Sequence, residues 1–303
     1  MPKIAAIDIG SNAIRMAVAE ASPGGKPEVL KSYREAVRLG ADVFSAGWVG
    51  QDTMNAALAA LKKYQAIIKT EGAQAVRAVA TEALRRASNH SEILQTIERE
   101  TGLNVEMISP RAEAELVLKA LSGKMDLEGK NILHLELGGG SLELSTVING
   151  ALTGSQSFEL GAIRLLPTIR ALDKNQALSE ITNLAGQALT WLEEAQQVNQ
   201  MNILIGTGGS LELLADLAGQ IAGSENKNIL GRDDLERIIE ALFPLDTAQR
   251  MERFRLKPDR ADVLLPAALL LLVILGRTKF TEIQVPRVGL KEGLILEIAQ
   301  NLK

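Results

Sequence analysis

Asp8 stands near the end of an almost wholly apolar run, Lys3–Ile9, and is followed after Ile9 by Gly10, Ser11 and Asn12. A carboxylate at a strand end beside a glycine-containing turn offers two kinds of chemistry. The turn presents backbone N–H groups and hydroxyls to phosphate oxygens, and the carboxylate can take Mg²⁺ directly or through water. Arg15, on the next apolar run near the turn, is a cation suited to pairing with phosphate. The layout returns at Glu136, where Gly138, Gly139, Gly140 and Ser141 stand between two apolar runs. Three consecutive glycines are costly in backbone entropy, which points to a close backbone approach. A third apolar run, Met201–Ile205, leads into Gly206, Thr207, Gly208, Gly209 and Ser210 and then a helix, whose N-terminus is an anion site. Neither the Walker A lysine nor the GxGxxG spacing is present there. Each turn alone also reads as an ordinary hairpin or helix cap. Two matching strand–carboxylate–turn units point to a phosphate gripped from both sides.

Acid–base candidates are few. The chain has no cysteine and two histidines, His90 and His134. That excludes disulfides, thiolate metal sites and cysteine nucleophiles, and leaves proton transfer to carboxylates. Glu113 lies in the first turn of a helix opened by Ser109 and Pro110, on the face shared with Leu116, Val117 and Ala120. A carboxylate on an apolar stripe suits a general base acting on water. The competing reading is a frayed first turn in which Glu113 only favours the helix dipole. Glu115 faces elsewhere, toward solvent. Thr81, Arg85 and Arg86 follow the run Ala75–Ala80, and either arginine holds phosphate or sits solvated on its helix. His134 shares strand parity with Glu136 and reads as structural, and His90 as a loop or cap residue.

The elements that must position these residues follow from periodicity. Lys3–Ile9, Ile14–Glu20 and Pro27–Val37 read as strands, the last after the turn-like SPGGK. A helix over Met54–Glu71, a strand over Ala75–Ala80, a helix over Ser91–Thr101, a strand over Asn104–Ile108 and a helix over Pro110–Leu121 follow. The pattern restarts with strands Lys130–Leu137, Leu142–Ile148 and Ala151–Phe158, helices Ala162–Leu172 and Ala177–Gln197, strand Met201–Ile205 and helix Ser210–Leu217. Helices Asp233–Leu242, Arg260–Gly276 and Leu290–Leu302 complete the chain, with one strand at Glu282–Val285. This is an internal repeat at the scale of a domain, and hairpins in each half point to mixed α/β sheets.

Composition agrees. At 303 residues, 46% hydrophobic and 23% charged, the chain suits two globular domains. Aromatics at 3% argue against stacking on single-stranded nucleic acid, and a net charge of −4 gives no global field for DNA or RNA. The longest apolar run, Val263–Leu275, is broken by Pro266 and falls short of the roughly 20 residues of a membrane span. The N-terminus meets Asp8 before a signal region forms, so the cytoplasm is the expected compartment.

The segments IDIGSNAIRM, VRLG, VATEALRRASN, ISPRAEAEL, ELGGGSLEL, FELGAIRL, GTGGS, RADVLLPAALLLL and VGLKEGLI occur in this order. Together they resemble the exopolyphosphatase / guanosine pentaphosphate phosphohydrolase family of the actin-like ATPase superfamily, in its short two-domain form. The resemblance implies two ribonuclease H-like domains, 1–122 and 123–288, each a mixed five-stranded sheet with helices, and a cleft between them. A C-terminal helix at about 289–303 would pack back on the first domain. By position, Gly10, Ser11, Asn12, Arg15, Thr81, Gly138, Gly139, Gly140 and Ser141 would bind phosphate, joined by the third turn at Gly208, Gly209 and Ser210. Glu113 would act on the attacking water, Arg85 would be an active-site residue that binds phosphate, and Asp8, Glu136 and Glu143 would hold Mg²⁺ or Mn²⁺. The implied reaction is metal-dependent release of terminal phosphate from polyphosphate or guanosine pentaphosphate. The alternative is a weak or inactive sensor that binds polyphosphate, nucleotide or guanosine tetra- and pentaphosphate. A homodimer is implied as well. The chain departs from the family pattern at Glu136, where aspartate is usual, at Ala13, Ala41, Glu115 and Leu142, and at Lys291, where arginine is usual.

Overall fold

The computed structural model of the protein describes residues 1–22 and 25–302. Pro23 and Gly24 of the SPGGK turn, and Lys303, lie outside the described residues. The chain divides into two compact units, Met1–Asp126 with Val288–Lys303, and Leu127–Arg287.

The first unit is built on five strands: β1 (Lys3–Ile9), β2 (Ile14–Glu20), β3 (Glu28–Glu35), β4 (Ala73–Ala80) and β5 (Val105–Met107). Their order is β3-β2-β1-β4-β5. The hairpins make β1–β2 and β2–β3 antiparallel, whereas the crossovers make β1–β4 and β4–β5 parallel. Central β1 is apolar throughout because both its faces are covered. Ala5, Ile7 and Ile9 point to a core with Leu61, Tyr64 and Ile97 from the helices Gln51–Glu71 and His90–Thr101. Ile4 and Ala6 point to the opposite core, with Leu116 and Val117 of the helix Pro110–Lys124 and Leu294 and Ile295 of the helix Leu290–Asn301. Each fully buried aliphatic side chain contributes roughly 1.5–3 kcal/mol. The last two helices touch at Gly293, where an added Cβ would fall 2.0 Å from the Leu116 carbonyl oxygen.

The second unit repeats the plan. It carries β6 (Asn131–Leu137), β7 (Leu142–Ile148), β8 (Ala151–Phe158), β9 (Ile203–Thr207), β10 (Ile229–Gly231) and β11 (Glu282–Gln284) in the order β10-β11-β9-β6-β7-β8. Hairpins again give antiparallel β6–β7 and β7–β8, with β6–β9 and β9–β11 parallel. This sheet has six strands, against five expected. The addition is β10, which pairs antiparallel with β11 at the edge. Three residues are too few to show a period, so nothing in the sequence pattern announced it.

Other differences are local. The segment read as one helix over Ala177–Gln197 is two, Lys174–Leu184 and Gly186–Asn199, the first started early by an Asp173–Gln176 capping box. The apolar helix begins at Leu264, behind a short turn at Pro258–Ala261, so that Pro266 falls in its first turn, where a missing N–H is tolerated. No described helix is long and apolar enough to cross a membrane.

Candidate active site

In the first unit, the sheet brings the chemistry to the C-terminal ends of its parallel strands. Asp8 is the last residue but one of β1, Thr81 follows β4, and Ser109, Pro110 and Glu113 follow β5. Such ends are where open α/β sheets bind ligands. The β1–β2 turn is closed by the Gly10 N–H donating to the Ala13 carbonyl at 3.1 Å. Gly40 of the VRLG segment braces it by donating to the Ser11 carbonyl at 2.8 Å. Asp8, Ser11, Asn12 and Thr81 are all buried.

Asp8 has the strand parity of Ile4 and Ala6, so it faces the C-terminal helix. Its register partner on β2 is Arg15, whose Nη1 donates to Asp8 Oδ2 at 3.1 Å. Burial pushes the Asp8 carboxyl above its ordinary 3.8, against the pull of Arg15 and then Lys291. Lys291 thus acts on Asp8 through its charge. Sequence reasoning noted it only as a departure from arginine. It stands in the first turn of the helix Leu290–Asn301 and pairs with Glu292.

Glu113 is 8% exposed, so its helix turn is not frayed. Ser109 caps that helix by accepting from the Ala112 N–H at 3.2 Å. Arg85 turns inward: its Nη1 donates to Glu113 Oε2 at 2.9 Å and to the Ile108 carbonyl at 2.8 Å, and its Nη2 to Glu82 Oε2 at 3.2 Å. Arg86 is the solvated one, with a side chain 54% exposed. Glu115 lies outside, paired with Arg111 on the surface. Glu82, itself buried, was missed in the sequence, although its spacing to Arg85 and Arg86 is the i, i+3 and i, i+4 signal of helix ion pairs.

The second unit reproduces the first turn. The Gly138 N–H donates to the Ser141 carbonyl at 3.0 Å, the counterpart of Gly10 to Ala13. Glu136 and Glu143 are register partners, as Asp8 and Arg15 are, so their side chains share a face. Glu143 is buried and accepts from Ser157 Oγ at 2.9 Å. The glycine run is clasped from behind: Ala162 N–H donates to the Gly138 carbonyl at 3.1 Å, Ile163 N–H to Gly139 at 2.9 Å, and Arg164 Nε to Gly140 at 3.1 Å. Parallel β9 brings the third turn alongside. Gly208 has φ 108°, and a Cβ there would lie 2.5 Å from the Leu137 carbonyl oxygen. Ser210 lies in the first turn of the helix Gly209–Ile221. The His134 Nε2 meets Thr207 Oγ1 at 2.9 Å, and burial lowers its pKa to about 4, so the ring is neutral and structural.

Asp8 belongs to the first unit and Glu136 and Glu143 to the second. Among the described residues no group of three or more histidine, aspartate or glutamate side chains is gathered as a metal cluster. The donor chemistry still fits a hard cation: carboxylate oxygens offered singly or in a cross-strand pair suit Mg²⁺, which is usually held by one or two protein carboxylates with substrate phosphates and water.

Known proteins are similar in sequence and fold. Exopolyphosphatase 1 of Mycobacterium tuberculosis is 26% identical over 304 residues, spanning 97% of this chain and 87% of that protein. The crystal structure of an exopolyphosphatase from Cytophaga hutchinsonii superposes with a TM-score of 0.91 at 26% identity, covering 99% of both chains. The Aquifex aeolicus Ppx/GppA family member gives 0.80 at 26% identity, covering 100% of this chain and 99% of that one. The model of the Ppx/GppA phosphatase family matches residues 17–302, and the chain belongs to that family.

Proposed function

We propose that the protein is a phosphohydrolase that releases the terminal phosphate of inorganic polyphosphate, and that guanosine pentaphosphate, which ends in the same phosphoanhydride, is converted to the tetraphosphate. The observation that carries this reading is Glu113, buried and held by Arg85 at 2.9 Å. Its carboxylate takes a proton from a water as the water oxygen attacks the terminal phosphorus. The bond from that phosphorus to the bridging oxygen breaks, and the shortened chain leaves. The N–H groups of the glycine turns, with Ser11, Asn12, Ser141 and Ser210, bind phosphate oxygens. Asp8 in the first unit, and the pair Glu136 and Glu143 in the second, are the carboxylates that would hold Mg²⁺ or Mn²⁺, which when bound supplies charge neutralisation at phosphate oxygens. The test is phosphate release from long-chain polyphosphate and from guanosine pentaphosphate, each with Mg²⁺ and with Mn²⁺. Release from neither would overturn the reading.

A second reading, a sensor with weak turnover, is favoured by one observation. Glu136 is a methylene longer than the aspartate usual in the resembling family, and Mg²⁺ geometry is strict. On that reading Glu136→Asp raises turnover. Brisk turnover by the native protein with no gain in Glu136→Asp rejects it.

A further inference from the structure

We propose that Glu82 is a positioning residue of the hydrolytic site, acting through Arg85 on Glu113. The inference rests on the proposed role of Glu113 and adds a third member to it.

A guanidinium has five N–H donors in a rigid fork. Arg85 spends both N–H groups of Nη1, on the Ile108 carbonyl and on Glu113 Oε2. Two divergent bonds from one nitrogen set the tilt of the plane but leave it able to pivot about that nitrogen. The bond from Nη2 to Glu82 Oε2, at 3.2 Å, stops the pivot. Glu82 is itself fixed. It is 6% exposed, and its other oxygen accepts from Arg86 Nε at 3.0 Å. Its short helix, Glu82–Arg86, is tied to the sheet by the Thr81 N–H donating to the Ile9 carbonyl at 3.2 Å. The chain of contacts thus runs from β1 and β4, through Glu82 and Arg85, to the carboxylate of Glu113. The purely structural account makes Glu82 a first-turn acid that favours its helix dipole, and that role would leave turnover alone.

Steady-state kinetics on long-chain polyphosphate separate the two. In Glu82→Ala, kcat is expected to fall about tenfold with KM changed less than about twofold, because a misaimed base loses transition-state stabilisation more than binding. Glu82→Gln keeps the volume and one acceptor oxygen and should recover part of that loss. Arg86→Ala frees the other Glu82 oxygen but keeps the Glu82–Arg85 bond, and should lower kcat by less than Glu82→Ala does. Added to Glu113→Gln, the Glu82→Ala change should cost nothing further in kcat, since residues acting as one unit are not additive. A native kcat in Glu82→Ala, or an equal loss on the Glu113→Gln background, overturns the proposal. Should Glu82→Ala fail to fold, Glu82→Gln decides: a native kcat there overturns it, and a kcat fall of about threefold or more at steady KM supports it. Full turnover by Glu113→Gln alone would instead remove the base, and the failure would lie with the proposed reaction.

Discussion

Gly161 lies against Gly140 with no room for a side chain between them. A Cβ at Gly161 would sit 2.2 Å from the Gly140 carbonyl carbon and 2.3 Å from its nitrogen. Both are backbone atoms of the phosphate turn, so the strain cannot be relieved by a side chain moving aside. Gly161→Ala is therefore expected to displace the turn. We predict a destabilisation of at least ~1–3 kcal/mol by urea denaturation, the usual cost of overpacking. The same variant should lose about tenfold or more in kcat/KM on polyphosphate, since small misplacements at a binding turn are costly. A variant with native stability and kinetics would show that the turn tolerates the shift.

Asp8 holds its place against its own preference. Burial raises its pKa above 3.8 despite the cations of Arg15 and Lys291. The native state therefore keeps the proton more tightly than the unfolded chain. Its contribution to stability is fully present below pH 3.8 and is lost as pH rises through the raised native value. Asp8→Asn mimics the neutral form. Measured without divalent metal, it should unfold at higher temperature than the native protein at pH 7, with the gap closing toward pH 3.8, while phosphate release is abolished. A less stable Asp8→Asn protein at pH 7 would mean that the Arg15 pair outweighs the burial.

His134 has the opposite sign. Burial lowers its pKa from 6.5 to about 4, so the neutral ring stabilises the fold above 6.5 and that stability is lost as pH falls through about 4. The full shift corresponds to on the order of 3 kcal/mol. His134→Gln removes the titration and keeps a polar group for Thr207. The difference in unfolding free energy between pH 7 and pH 4.5 should shrink in this variant relative to the native protein. An unchanged difference would place the acid sensitivity elsewhere.

What was legible in the sequence is what local chemistry determines. Strands β1, β2, β7 and β8 have the bounds that alternation and the flanking turns imply, because each is cut off by Gly, Asn or a charge. The glycine turns are equally local, and the Gly10–Ala13 and Gly138–Ser141 bonds show why the two openings look alike. The Arg85–Glu113 pair was not legible, since the partners are 28 positions apart and meet only because β4 and β5 run parallel. Glu113 on an apolar stripe left two readings open, and the arginine from another element decided between them. The return of the C-terminal helix to the first unit was implied by the resemblance, but the effect of Lys291 on Asp8 was not legible, since the two lie on elements separated by the whole second unit in sequence.

The most direct test of the account is the rate of phosphate release from long-chain polyphosphate by the native protein and by Glu113→Gln, with Mg²⁺ present. The native protein should turn over, and the variant, folded and still binding polyphosphate, should lose about 10²–10⁴-fold in kcat, the usual contribution of a positioned general base. A variant that releases phosphate as fast as the native protein would contradict the assignment of Glu113 as the base.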